Sequence, residues 1–267
     1  MLDTVLHQGS SLHCHTPEVE LRLTSVVSQG AGRQALETLW QVCSHLQRLG
    51  YPVIVLDGTA QESDEVPGLQ HLLVNAPWGD GAFASSDTDT LSLAVLPALQ
   101  GLYTLAFNTP HLSQPLQALQ PLFRQYALVV VYASVGTLSS PLLTGTATAP
   151  LLLMEPGRLG VVACYKQLKQ LAVHRGLAGT VACVTQSDDP AYRRQIHNEL
   201  STLRQCAERH LGQHIRTTTV YAHNPQDMQR LALQLLENTG TIGAPAYAPT
   251  SPRRAMAASY ALFSQRH

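Results

Sequence analysis

The stretch that most constrains the fold of this chain is residues 21–57, LRLTSVVSQGAGRQALETLWQVCSHLQRLGYPVIVLD. It reads as an apolar strand over 21–27, a glycine turn around Gly30 and Gly32, an amphipathic helix over 34–49, and a second apolar strand over 52–56 ending on Asp57. Leu36, Leu39, Trp40, Cys43, Leu46 and Leu49 recur at helical spacing, and Gly50 stops the helix. The run at 52–56 is almost continuously apolar, as in a strand covered on both faces of a parallel sheet. A glycine turn that opens a helix also points backbone N–H groups at one place, which is how phosphates are cradled.

The alternation continues along the chain. Residues 58–70 read as a polar loop, 69–74 as a short helix, and 76–90 as irregular. Short strands are expected at 91–96 and 102–107, and a helix at 112–126 with Pro115 in its first turn. The run ALVVVY at 127–132 is the strongest strand signal. Strands at 151–155, 179–185 and 217–221 then alternate with helices at 159–175, 191–211 and 226–238. Alternating strands and helices imply an α/β fold: a doubly wound, mostly parallel sheet with helices on both faces. The expected organisation is a polar, His-rich leader at 1–20, one domain over 21–240, and a Gly/Pro/Ala-rich tail at 241–267 that can form a short helix at its end.

Composition narrows the function classes. The chain has 267 residues, 45% of them hydrophobic and 13% charged, with a formal net charge of −1. One domain of that length is ordinary. The charge balance argues against a nucleic-acid binder that relies on a basic surface, and so little charge favours a protein partner. The five cysteines, at 14, 43, 164, 183 and 206, show no CxxC spacing. They read as mostly buried free thiols in a reducing compartment. No signal peptide and no apolar run of about 18 residues is visible, so a cytoplasmic location is expected, with membrane contact at most peripheral.

Several lesser signals carry little chemistry. His13-Cys14-His15 is a tight triplet with no second cluster to complete a zinc site. His210 and His214 flank Gly212, which marks a helix end. Ser134, Ser139 and Ser140 lie near a strand end without a G-x-S-x-G frame. Met256, Tyr260 and Phe263 recur at helical spacing between basic residues, a small apolar payload that suits docking on the chain itself or on a partner.

The loop after the first strand reads Ser28-Gln29-Gly30-Ala31-Gly32-Arg33-Gln34. With Asp57-Gly58-Thr59, Tyr132-Ala133-Ser134-Val135-Gly136, Glu155-Pro156 and Tyr165-Lys166-Gln167-Leu168-Lys169, its layout resembles the MinD/ParA-type deviant P-loop (SIMIBI) ATPases, FlhG/FleN and BcsQ in particular, over most of residues 21–240. That family carries K-G-G-x-G-K-[T/S], D-x-D and D-T-[P/A]-[A/P]-G. By the resemblance, Ser28 stands for the lysine that reaches across a dimer, Arg33 for the phosphate-binding lysine, and Gln34 for the magnesium-binding hydroxyl. Asp57 keeps the first acid of D-x-D, Thr59 replaces the second, and Tyr132 replaces the metal acid. Glu155-Pro156 and Tyr165-x-x-Leu168-Lys169 keep the pattern that follows.

Losing both lysines, the hydroxyl and two acids removes most of the electrostatic stabilisation that phosphoryl transfer uses. The leading expectation is therefore a pseudo-ATPase without a cofactor, in which Gly30 and Gly32 make a strand-to-helix turn and Asp57 caps one. It would act as a regulatory or scaffolding partner of a polar, flagellar or secretion assembly, as a homodimer or paired with an active relative. Backbone N–H groups at 30–33 leave weak ATP binding open. Two other readings stand beside it: an ATP-dependent dimerisation switch that uses Arg33, and an unrelated enzyme using the crevice near Asp57 and Ser134.

Overall fold

The computed structural model describes residues 21–28, 33–75, 93–108, 114–187 and 189–242. The leader, the irregular stretch at 76–90, residues 29–32 and most of the tail lie outside the described residues.

The architecture is an eight-stranded α/β sheet in the order β3-β2-β4-β1-β5-β6-β7, with β8 added against β1. The strands are β1 (Leu21–Val27), β2 (Val53–Asp57), β3 (Ala94–Pro97), β4 (Leu128–Ala133), β5 (Leu151–Met154), β6 (Thr180–Thr185), β7 (Arg216–Tyr221) and β8 (Gly240–Ile242). All pairings are parallel except that of β8 with β1. The helices are α1 (Arg33–Arg48), α2 (Leu69–Asn75), α3 (Leu99–Phe107), α4 (Val135–Leu138), α5 (Arg158–Arg175), α6 (Pro190–Leu211) and α7 (Pro225–Glu237).

Side chains alternate across each strand, so one sequence builds two cores. Val26, Val55, Val130, Tyr132 and Leu153 face α1 and α7. Leu23, Val27, Leu56, Val131 and Leu152 face α3, α5 and α6. β4 is buried along its whole length, as its unbroken apolar run demands.

Three local expectations change. Residues 102–107 form part of α3, not a strand: Leu102, Leu105 and Ala106 face inward while Tyr103 and Phe107 face out. A short apolar run does not by itself distinguish the two periods. The helix expected at 112–126 appears, in its described part, as a 3-10 segment over Pro115–Leu119 followed by turns. Pro121, which has no N–H to donate, ends it. Sequence pattern also missed β8. β5 pairs only with Val26 and Val27, which leaves the first half of that edge of β1 open; β8 takes it, Leu21 opposite Ile242 and Leu23 opposite Gly240. Unpaired backbone groups in mid-sheet are costly, which explains why a three-residue strand persists there.

Glu62, in the loop before α2, ties this corner together. Its carboxylate accepts from Gln70 N–H at 2.6 Å and from Gly101 N–H at 2.8 Å, so one side chain caps the starts of both α2 and α3. Replacing Glu62 with alanine is expected to cost about 2 kcal/mol, the scale of charge-assisted hydrogen bonds lost in a partly buried setting. Glutamine should recover part of that loss. Urea unfolding of the two variants checks it.

Candidate functional site

The sheet presents its strand ends at the position where open α/β sheets bind ligands. Ser28 follows β1, is buried, and donates its N–H to Ala133 O at 2.8 Å. Arg33 and Gln34 then open α1; Gln29, Gly30, Ala31 and Gly32 lie outside the described residues. α1 buries Ala35, Leu39, Val42, Cys43 and Leu46. Leu36, Trp40 and Leu49, read from spacing as part of the inner stripe, face outward. The apolar stripe is therefore rotated by about one position from the sequence reading.

Asp57 ends β2 opposite Tyr132, which in turn lies opposite Val26. The Asp57 carboxylate is used locally: Oδ1 accepts from Thr59 N–H at 2.9 Å and from the Thr59 hydroxyl at 2.6 Å. This is a turn-closing arrangement of the kind Asp favours. Gly58 donates its N–H to Tyr132 O at 2.7 Å. A Cβ at Gly58 would lie 2.8 Å from Leu102 Cδ1 and 2.9 Å from Ala133 Cβ, so only glycine lets the loop press this close to β4 and α3.

Tyr132 is 1% exposed, and its side chain packs in the core formed with α1. Burial, and then the nearby Asp57 charge, push its phenol pKa above the ordinary value. The phenol is therefore neutral at ordinary pH. A neutral phenol is a poor partner for a hard cation, whereas a carboxylate at the same spot would be a good one.

The remaining sequence candidates resolve into local roles. Ser134 caps α4, its Oγ accepting from Thr137 N–H at 3.2 Å. Ser140 donates to Thr137 O and accepts from Leu142 N–H, while Arg175 Nε donates to Ser139 O and Ser140 O. Gly136 lies within α4, where a Cβ would make an ordinary 3.6 Å contact, so that position does not require glycine. His214 is exposed, 3.6 Å from Glu208, and borders a cavity of about 370 Å³ with Ser201, Arg204 and Gln205. Ile215 in that cavity immediately precedes β7, which puts it at the opposite end of the sheet from Asp57. Among the described residues, no group of three or more His, Cys, Asp or Glu side chains could hold a metal ion. No helix among them is long and apolar enough to cross a membrane.

Sequence reasoning missed Glu199. α5 starts after Glu155-Pro156-Gly157 with no capping side chain of its own. Glu199, from α6, supplies one: its Oε2 accepts from Gly157 N–H at 2.8 Å, and its Oε1 accepts from Gln195 Nε2. Gly160 allows this tight start, because a Cβ there would lie 1.9 Å from Glu155 O. The Pro-Gly pair signals the turn, but nothing in sequence spacing signals a partner 42 residues away. In the pattern that follows, Leu168 is fully buried, Tyr165 packs at the core edge and Lys169 is exposed.

Cys43, Cys164 and Cys183 are buried free thiols, and burial pushes each up to about 12. Cys183 adds to the shift at Cys164, and Glu199 to that at Cys183. None is a thiolate nucleophile at neutral pH.

No protein-family model and no curated protein sequence matches the chain. Solved structures do share its fold. The ParA of pNOB8 bound to nonspecific DNA superposes with a TM-score of 0.52 at 10% identity, over 82% of this chain and 99% of that one. The MinC:MinD cell division complex of Aquifex aeolicus gives 0.50 at 12%, over 79% and 85%. Cobyrinic acid a,c-diamide synthase of Mycobacterium smegmatis, solved with an ATP analogue and magnesium, gives 0.50 at 16%, over 68% and 82%. The fold is thus that of P-loop ATPases of the MinD/ParA type.

Two measurements probe the site. Tyr132→Phe should stay within about 1 kcal/mol of the parent, while Tyr132→Asp should lose about 3–5 kcal/mol in chemical denaturation, because a core ring is replaced by a buried acid. The thiols give a pH dependence. Their folded value of about 12 exceeds the ordinary 9.0, so the folded state holds these protons more tightly. The stability they contribute is complete below about pH 9 and falls as pH rises towards 12. Urea midpoints measured from pH 8 to 11 should decline, and less steeply in Cys43→Ala.

Proposed function

We propose that the chain is a catalytically degenerate MinD/ParA-like protein that acts by docking onto protein partners rather than by turning over ATP. Tyr132 carries this reading. By the resemblance, a metal-holding acid belongs at that strand end; here a buried, neutral ring fills the position beside Asp57. The engaged Asp57 carboxylate supports it, since Thr59 both replaces the second acid and occupies the first. Ser28, Arg33 and Gln34 stand where the family has its two lysines and its hydroxyl, so of the charged groups in the family's three motifs named above only the acid at Asp57 is kept.

The scaffold that remains is suited to presenting surfaces. Loss of catalytic groups does not disturb the two cores, so a folded docking body survives them. The setting that the FlhG- and BcsQ-like layout favours is a polar, flagellar or secretion assembly. The partner is either a second copy or an active relative.

Calorimetry and thermal shift with millimolar ATP·Mg²⁺, alongside a phosphate-release assay, test the proposal. The expected outcome is no magnesium-dependent rise in Tm and no phosphate release above background. A clear magnesium-dependent rise that vanishes in Arg33→Ala would overturn it in favour of an ATP-gated switch.

A further inference from the structure

The net charge of −1 conceals a segregation. Among the described residues, the stretch 57–143 holds Asp57, Glu62, Asp64 and Glu65 against one basic residue, Arg124, whereas 151–216 holds nine Lys and Arg against Glu155, Asp189, Glu199 and Glu208. The sheet order puts β2, β3 and β4 on one side of β1, and β5, β6 and β7 on the other. Among the described residues, one side of the sheet is therefore acidic and the other basic.

On the basic side, α5 contains no acid. It exposes Leu159, Val162, Lys166, Lys169 and Val173, with Leu159 87% exposed. Their spacing of three, four, three and four places them on one stripe of the helix. Lys166 and Lys169 are the chain's two lysines, and among the described residues no ion pair joins either to an acid.

On the acidic side, Asp64, Glu65 and Val66 are exposed in the loop before α2. Gln100 Oε1 accepts from Glu62 N–H at 2.9 Å, which holds this loop against α3. Tyr103 and Phe107 lie three and seven positions beyond Gln100, on the same helix face. They are 62% and 51% exposed, with their rings 4.7 Å apart. Isolated exposed apolar residues are normal on any surface. Two apolar patches on one chain, one with lysines and the other with carboxylates, are mutually complementary.

We propose that these faces bind each other between copies: the α5 stripe of one copy docks on the Asp64, Glu65, Val66, Tyr103 and Phe107 face of the next. The two surfaces differ, so the contact is head-to-tail, and its repetition closes into a ring or extends into a filament. This goes beyond the docking reading above and holds whether or not the chain turns over ATP.

Sedimentation of the full chain over rising concentration tests it, at about 50 mM and about 500 mM salt, conditions that lengthen and shorten the reach of charge. Average mass should climb with concentration at low salt and fall back towards monomer at high salt. Lys166→Glu with Lys169→Glu, and separately Asp64→Lys with Glu65→Lys, should each weaken association at least about tenfold, since like charges are then juxtaposed. Mixing the two double variants should restore assembly, because each supplies the face that the other has lost; circular dichroism confirms that both are folded. A monomer under all conditions overturns the proposal, as does an oligomer indifferent to both charge reversals. So does a chain that stays monomeric yet binds phosphatidylglycerol vesicles through Lys166 and Lys169, which would assign the stripe to anionic lipid.

Discussion

The end of β4 is the point on which the rest of the strand-end region depends. Tyr132 O accepts from Gly58 N–H, and Ala133 O accepts from Ser28 N–H, so consecutive carbonyls of one strand anchor the loops leaving both neighbours. Each such bond contributes only about 1 kcal/mol net, but an unpaired buried carbonyl costs more than that. β4 also sits between β1 and β2 with both faces covered, which fixes its register against either side. Ser28 and Gly58, the first residues after β1 and β2, are thereby placed by backbone bonds, and Gly58 reaches β4 because it carries no side chain.

On the reading proposed above, that backbone anchoring lets the layout outlast its chemistry. The contacts that seat α1 on the sheet come from Leu39, Val42, Cys43 and Leu46, one to four turns beyond the glycine loop. None of them lies at a strand end, so a change of side chain there leaves this packing untouched. Tyr132 goes further, because its ring joins the same core as α1. The side chain at this strand end contributes to cohesion between helix and sheet.

The central strands were legible in the sequence because burial on both faces leaves an unbroken apolar run, as in LVVVYA. α1 was legible because its apolar residues recur at helical spacing, and the end of α6 because Gly212, in the left-handed region, terminates it. What was not legible depends on contacts distant in sequence. α3 looks like a strand because its buried and exposed apolar residues are adjacent; only the sheet behind it shows which face is which. β8 has no pattern of its own and exists because β5 leaves an edge of β1 open. At the candidate site, the identities of Ser28, Thr59 and Tyr132 could be read directly, whereas the Asp57–Thr59 closure and the Glu199 cap depend on how the chain folds.

The antiparallel pairing of β8 with β1 also sets how the protein responds to traction. Leu21 and Ile242 are partners, so the described segments begin and end at one spot, at the end of the sheet away from Asp57. A pull applied at Leu21 and Ile242 loads that short ladder in zipper geometry, where bonds open one after another instead of sharing the force. β8 would peel first, while the parallel strands remain intact. The fold thus has a mechanically weak seam between β1 and β8, whose opening frees the first half of one edge of β1.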